Sequence, residues 1–398
     1  MKKKTWLSGA LALALLTGCG TVNPIAPADP DDMAYLAADV RRTDPLLTVD
    51  GVGINAEEYL FWLVNAVSEQ QYYGAISGDE GWDDLQLDGT TTAQAVKDDA
   101  RQAAVLYQVV RNKAAELGVT LTDEQTQQLT ASLDGAKEQA GSQAAYQNWL
   151  EANCISEEGF ATLNEVGYLS QGIREKLTEA GELTVTEEDV ANFVEDEDIY
   201  AAKHILISTR HRNDDGSYED FSPEEKEAAF AQVQDLREQL RKAGDDEALF
   251  DTLMNEHSQD GRDEEGNLYY PQGYDFVYPG QMVSEFENGA MALEVGQVSE
   301  PIETDYGYHI ILRIQPNMDT VRGYCTEDYK LNTLMQQWVD AAQVTTTKAY
   351  DELDPHDFYT RLQSVSQARR EARESAEPQD STAPQESGEP QTSPEPKG

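Results

Sequence analysis

A change in hydrophobic pattern at Tyr200 limits the possible folds of this 398-residue chain more than any other feature. Before Tyr200, apolar residues recur at helical spacing, whereas after it the order of patterns is β-α-α-β-α-β-β as far as Ile314. The helical segments before the change run approximately over 55–67, 92–117, 122–139, 143–152, 156–180 and 186–195. The chain is therefore predicted to be an α+β protein in which a helical region precedes a mixed region.

The pattern becomes helical again after Pro316, with amphipathic helices over about 328–342 and 355–374 and a possible strand over 344–349. Neither helical flank offers a complete apolar core by itself. We therefore expect 46–198 and 317–374 to form one all-helical domain, with 199–316 inserted in it or flanked by it. Residues 375–398 contain five of the fifteen Pro residues and are predicted to be disordered.

The first twenty residues have the organisation of an export signal. Lys2–Lys4 are positive, and the apolar run Trp6–Leu16 is shorter than the roughly 20 residues needed to cross a bilayer. The tetrad Leu-Thr-Gly-Cys at 16–19 resembles a bacterial lipobox, whose Cys receives diacylglycerol. That resemblance implies a signal peptide at 1–18, lipidation of Cys19 and a tether at 19–45. An ordinary secretory peptide with a chance Cys is the alternative.

Charge excludes one class of partner. The chain has 75 Asp and Glu against 29 Lys and Arg, a net charge of −46, and no compact basic stripe. Such a chain repels phosphate backbones, so nucleic-acid binding is not expected. Besides Cys19, the sequence contains Cys154 and Cys325, which are either paired or buried free thiols.

Five ordered blocks between 200 and 316 carry a family resemblance. They are 202–206 (AKHIL), 257–260 (HSQD), 279–287 (PGQMVSEFE), 293–302 (LEVGQVSEPI) and 304–311 (TDYGYHII). Together they resemble a parvulin-type peptidyl-prolyl isomerase. The resemblance implies a four-stranded antiparallel sheet with surrounding helices, at 199–316. With the lipobox-like tetrad and the helical flanks, the layout is similar to that of PrsA-type extracytoplasmic foldases and their SurA-like relatives.

The resemblance also assigns an apolar slot for the proline ring. Met282 and Phe286 are four residues apart, on one face of a helix start, and match the slot positions of the family. Rotation about an X-Pro bond breaks no covalent bond, so a site can act through shape and polarity. Core packing is the alternative role for the pair.

Polar residues complete the implied site. His204 and His309 fall on strands that the family places side by side, either as catalytic groups or as the floor of the site. Asp260 stands where some parvulins carry Cys, which favours electrostatic assistance over a thiolate; an Asx turn is the alternative. Thr304 begins the last block and is assigned to substrate binding. No metal or cofactor is expected.

One segment departs from the family pattern. The usual Gly-Gly-Asp-Leu-Gly is replaced by 266–276, so Phe276 is the best match for the third wall of the slot, with Tyr274 beside it. Tyr306 stands where the family often has a small hydroxyl residue. Arg210, His211 and Arg212 follow the first strand, but neighbouring acids favour a solvated loop over a phosphate clamp.

Two functional classes follow from these assignments. The first is a lipid-anchored prolyl isomerase at the outer face of the bacterial cytoplasmic membrane, acting on unfolded or partly folded exported polypeptides with X-Pro bonds. The second is a holdase chaperone that keeps a weak or inactive parvulin scaffold. A solute-binding lipoprotein shares the anchor, but it needs alternating βα units that 55–195 lack. No oligomeric state follows from the sequence.

Overall fold

A computed structural model describes residues 32–213 and 217–376 of the chain. The predicted signal peptide, the lipidation site Cys19, the first part of the tether and residues 377–398 of the predicted disordered tail lie outside the described residues.

The first half of the chain contains short strands as well as helices. Its elements are α1 (Met33–Ala38), β1 (Pro45–Val49), β2 (Val52–Asn55), α2 (Ala56–Tyr72), α3 (Thr92–Leu117), α4 (Asp123–Gln139), α5 (Gln143–Ala152), α6 (Glu157–Ala180) and α7 (Glu187–Asp196). The next are β3 (Tyr200–Ser208), β4 (Arg210–Arg212), β5 (Tyr218–Asp220), α8 (Pro223–Lys242), α9 (Glu247–His257), β6 (Tyr274–Val277), α10 (Ser284–Met291), β7 (Ile302–Thr304) and β8 (Gly307–Ile314). The last are α11 (Met318–Tyr324), α12 (Glu327–Ala341), β9 (Val344–Thr346), α13 (Lys348–Glu352) and α14 (Pro355–Ala376).

Side-chain caps begin several of the predicted helices. The Asn55 side chain accepts the Glu58 amide at the start of α2. Reciprocal capping boxes, in which the first and fourth residues each accept an orphan amide, begin α4, α7 and α8. Helix starts were therefore predictable from local polar residues alone.

The described residues form two compact units. One comprises the residues up to 170 and from 342 onward, and the other comprises 171–341. These boundaries differ from the predicted domain boundaries at 198/199 and 316/317. The reason is a core cluster in which Val190 and Phe193 of α7 pack with Val321 and Cys325 of α11, and with Phe276 of β6. Helical periodicity shows that α7 and α11 each have an apolar face, but not which partner covers it.

The first unit is built from both ends of the chain. Strand β1 is central in an antiparallel sheet of order β2-β1-β9, with Leu47 opposite Thr346 and Val49 opposite Val344. Helix α14 packs against α1, α3 and α5. The unit is mostly helical, but this three-stranded sheet differs from the predicted all-helical domain. Its strands are three to five residues long, and β9 lies within the possible strand predicted over 344–349.

The second unit contains the predicted four-stranded antiparallel sheet, in the order β6-β3-β8-β7. Strands β3 and β8 pair along their whole length, from Ala201 opposite Ile314 to Ser208 opposite Gly307. Helices α8 and α9 contact the sheet in one core cluster, and α10 contributes to a second. The strand predicted over 297–303 is confined to β7, and the predicted polar loop after β3 contains the β4–β5 hairpin.

Both remaining cysteines in the described residues are free and buried. Burial raises the pKa of Cys154 above its ordinary value, which keeps the thiol protonated. Within 32–213 and 217–376, none of the helices has the length and hydropathy of a membrane-spanning segment.

The two-ended construction of the first unit predicts where a lesion in α14 acts. Leu362 is fully buried, so Leu362→Ala should cost about 2–5 kcal/mol and remove hydrogen-exchange protection from α3 while leaving that of β3 and β8 intact. The exposed neighbour Gln363→Ala is the matched control. Loss of protection confined to α14 would show that this helix does not share a cooperative core with α3.

Candidate active site

A pair of histidines lies on the two central strands of the second unit. In the β3–β8 register, His204 is opposite Ile311 and Leu206 is opposite His309, so the two histidines are diagonal neighbours on one face. Their rings stack with centroids 5.2 Å apart, and their Nδ1 atoms are 3.1 Å apart. Both side chains are buried.

Asp260 reaches His204 from the loop that follows α9. Two preceding residues fasten this loop to β3: the Ser258 hydroxyl accepts the Leu206 amide, and the Gln259 amide donates to the Leu206 carbonyl at 2.8 Å. The Asp260 Oδ2 atom is then 3.0 Å from His204 Nε2. Sequence reasoning did not assign roles to Ser258 and Gln259, although both lie within one of the five resembling blocks.

The contacts form one continuous hydrogen-bonded chain. Ionised Asp260 only accepts, so His204 Nε2–H donates to it, and the Tyr274 hydroxyl donates to the same Oδ2 at 3.1 Å. With neutral imidazoles, His309 Nδ1–H then donates to His204 Nδ1, and the Thr304 hydroxyl donates to His309 Nε2 at 2.9 Å. Thr304, which was predicted to bind substrate, is thus buried beside His309.

The pKa values of His309 and Asp260 favour this protonation. Burial and the neighbouring His204 lower the pKa of His309 to about 3, so that its imidazole is neutral at physiological pH. Burial alone would raise the pKa of Asp260, but its hydrogen bonds with His204, the Gly261 amide and Tyr274 lower it to about 2. Because this folded-state pKa is below the ordinary value of 3.8, the ionised Asp260 stabilises the fold above that pH, and its contribution is lost as pH falls toward 2.

Apolar side chains of α10 and the preceding loop border the histidines. Phe286 is 3% exposed, and its ring meets those of His204 and His309 edge-on at centroid distances of 5.2 and 5.4 Å. Met282 is half-buried and packs against the core cluster that contains Phe286. The structure therefore brings the two predicted slot residues together beside the hydrogen-bonded histidines.

Phe276 is not part of this site. The register of β6 against β3 shifts between Val277 and Tyr274, so three residue steps on β6 oppose two on β3. Such a bulge reverses the alternation of side chains between the two faces. Tyr274 therefore reaches Asp260, while Phe276 stacks on Tyr324 at 4.5 Å in the cluster around α7 and α11. The structure therefore places Tyr274, and not the predicted wall residue Phe276, beside Asp260.

A groove of about 950 Å³ extends from Asp260 to the β4–β5 hairpin, with Tyr218 and Tyr306 among its lining residues. Two basic side chains in it are already paired: Arg210 Nε lies 3.0 Å from Asp220, and His211 lies 3.2 Å from Glu225. This pairing agrees with the predicted solvated loop and disfavours a phosphate clamp. The side chains described contain no group of three or more His, Cys, Asp or Glu able to hold a metal ion.

Comparison with known proteins identifies the region that contains this site. Residues 204–315 match the family model described as a PPIC-type PPIASE domain. A similar protein is foldase protein PrsA 3 of Bacillus cereus, 28% identical over 235 residues, which covers 56% of this chain and 65% of the relative. Foldase protein PrsA of Geobacillus sp. is 36% identical over 115 residues, covering 28% of this chain and 38% of the relative. Chaperone SurA of Burkholderia thailandensis is 39% identical over 83 residues, covering 21% of this chain and 16% of the relative.

The chain spans less than two thirds of the length of each of these relatives. Among solved structures, that of the peptidylprolyl isomerase PrsA from Bacillus cereus aligns with 81% of this chain and 99% of its own, at 20% identity and a TM-score of 0.27. The family-model match confirms the parvulin-type resemblance of residues 204–315.

The Tyr274 hydroxyl is predicted to hold down the pKa of Asp260. Tyr274→Phe removes one of the donors to Oδ2, so the pKa of Asp260 should rise from about 2 toward 3.8, as measured by ¹³C NMR titration of its carboxyl carbon. The acid limb of the stability profile should move to higher pH with it. Tyr269→Phe removes an exposed hydroxyl from the same loop and is the control. An unchanged Asp260 titration in Tyr274→Phe would contradict the assigned hydrogen bond.

Proposed function

We propose that this chain, whose residues 204–315 form a PPIC-type peptidyl-prolyl isomerase domain, catalyses cis-trans isomerisation of X-Pro bonds in exported polypeptides. The observation that carries the proposal is the junction of the hydrogen-bonded His204–Asp260 pair with the apolar Phe286 ring. The names of the relatives, foldase and chaperone, support unfolded or partly folded chains as substrates.

The reaction requires rotation about an amide bond, against a barrier of about 18–20 kcal/mol set by resonance. Planar resonance places partial negative charge on the carbonyl oxygen, and twisting removes it. A site that disfavours this charge therefore lowers the barrier without a covalent step, while an apolar slot for the proline ring binds the planar and the twisted amide alike. Because 199–316 contains no Cys, a thiolate has no part in this mechanism.

The predicted site residues that lie around His204 each have a place in this mechanism. Met282 and Phe286 hold the pyrrolidine ring, and Tyr274 forms the third wall. The Asp260 side chain is the more exposed partner of the His204–Asp260 pair, at 28% against 10%, so its carboxylate is the group that reaches the carbonyl oxygen of the substrate. His204 and His309 keep that carboxylate ionised and fixed in direction.

The flanking helical regions, 46–198 and 317–374, are proposed to bind unfolded segments of the same clients. Supporting this role, the first unit exposes several large apolar side chains, namely Tyr72, Tyr73, Leu85 and Leu87. Exposed apolar surface is what a chaperone presents to unfolded chains. The client would then be held while its X-Pro bonds exchange in the isomerase site.

The proposed location is the outer face of the bacterial cytoplasmic membrane, with the chain anchored through lipidated Cys19. The support is the sequence of residues 16–19, together with the short apolar run before them. Two acyl chains give stable anchoring, at about 0.8 kcal/mol per buried CH₂, even for a strongly anionic protein.

Phe286→Ala tests the slot. The variant opens a cavity where the proline ring packs, so kcat/KM for X-Pro peptides should fall by well over tenfold, about 2–4 kcal/mol of transition-state stabilisation. Asp260→Ala should likewise lower kcat/KM more than it lowers the unfolding midpoint. The measurement is a protease-coupled isomerisation assay on the full chain, beside thermal unfolding.

Phe250→Ala is the matched control, because Phe250 is fully buried in the core cluster of α8 and α9 and lies outside the slot. It should destabilise the fold to a comparable extent and leave kcat/KM near that of the wild type while folded. Wild-type rates in folded Phe286→Ala would reject the slot, and absence of isomerisation in the wild-type chain would favour the holdase function.

The anchor is tested with Cys19→Ala. Cells that express the wild-type chain with a labelled fatty-acid analogue should yield labelled protein in the membrane fraction, and the variant should be unlabelled and released. Cys154→Ala, which changes a buried thiol of the first unit, is the control and should keep its label. Label on Cys19→Ala would show that the lipobox-like tetrad is not the modification site.

A further inference from the structure

A tight turn connects the β6 wall to the slot. Tyr278–Gln281 has Pro279 at its second position and Gly280 at its third, with a φ of +84° at Gly280, which is the requirement of a type II turn. The Gln281 amide donates to the Tyr278 carbonyl at 3.3 Å, and the Gln281 side chain accepts the Tyr278 amide at 3.0 Å. Met282 follows this turn directly, so the turn sets where its side chain lies.

Glu287 fastens the turn to the helix that carries Phe286. Its Oε2 atom accepts the Gly280 amide at 2.7 Å. The hydroxyl of Tyr200, a fully buried residue at the start of β3, lies 3.5 Å from the same oxygen. A carboxylate that accepts a backbone amide forms a short, charge-assisted hydrogen bond. The Glu287 side chain therefore connects the turn to α10, and its longer contact with Tyr200 reaches the central sheet.

We infer that Glu287 is a positioning residue for the proline slot, acting through Met282; this inference rests on the proposed isomerase function. Phe286 is held by its own burial in the core cluster against the sheet. Met282 is only half-buried, and it lies two residues after Gly280, which has no side chain to restrict its backbone. The Glu287 hydrogen bond removes the freedom of the turn that would let Met282 move away from Phe286. It thus fixes the width of the slot before substrate arrives.

This role predicts a particular kinetic signature. The slot holds the proline ring in the planar and the twisted amide alike, so loss of its shape weakens binding of both states and raises KM with little change in kcat. A lesion in Asp260, in contrast, should lower kcat, because its charge acts on the twisting amide. Glu287 should therefore resemble Met282 in its kinetics and differ from Asp260.

The test compares three variants of the full chain in the isomerisation assay. Glu287→Ala should raise KM roughly tenfold, the value of one charge-assisted hydrogen bond. Glu287→Gln keeps an oxygen acceptor for the Gly280 amide and should restore most of the loss. Glu285→Ala, an exposed carboxylate on the same helix, should have wild-type kinetics. A wild-type KM in folded Glu287→Ala, or no rescue by Glu287→Gln, would overturn the inference.

A double-mutant cycle tests the route through Met282. If Glu287 acts by holding Met282 in place, Met282→Ala with Glu287→Ala should raise KM no further than Met282→Ala alone. Independent, multiplicative effects would reject that route.

Hydrogen exchange separates this inference from the proposed function. In the full chain, the Gly280 amide should be protected in the wild type and in Glu287→Gln, and should exchange at least tenfold faster in Glu287→Ala. This readout does not depend on catalysis. If the wild type fails to isomerise X-Pro bonds, the proposed function fails while the exchange result still decides whether Glu287 holds the turn. Equal exchange in all three proteins would overturn the positioning role.

Discussion

The pairing of β3 with β8 is the interaction on which the candidate site depends, because its register brings two imidazoles into contact on one face of the sheet. Buried polar rings are stable only when their nitrogen atoms have partners. The Nε2–H of His204 donates to Asp260, and the Nε2 atom of His309 accepts the Thr304 hydroxyl. These two contacts attach the loop after α9 and the short strand β7 to the central strands.

The chain's ends impose a second constraint, on the first unit. One edge of strand β1 is paired only by β9, with Leu47 opposite Thr346, so the two strands are far apart in the sequence. An unpaired edge and the uncovered faces of α1, α3 and α5 are costly to leave in water. The first unit is therefore complete only once β9 and α14 have been made, whereas each strand of the four-stranded sheet lies within 200–314.

Much of this architecture was predictable from the sequence, because its causes are local. The caps at Asn55, Thr122 and Thr186 act within four residues, and the apolar run of β3 identifies a buried strand. The bulge in β6 was not predictable, since a one-residue shift leaves no mark in composition, and it places Tyr274 rather than Phe276 beside Asp260. The boundaries of the two units were not predictable for a related reason, because an apolar helix face does not specify which element packs against it.

The geometry also explains why an Asp at position 260 is compatible with an apolar slot. A carboxylate that is partly removed from water ordinarily has a raised pKa and takes up a proton more readily, which would remove its charge. Here the donors His204 and Tyr274 and the Gly261 amide outweigh burial and keep the pKa of Asp260 near 2. Tyr274 donates to the carboxylate, and in the proposed mechanism it is also a wall for the proline ring. The altered segment 266–276 thus supplies, through Tyr274, one of the hydrogen bonds that keep Asp260 ionised.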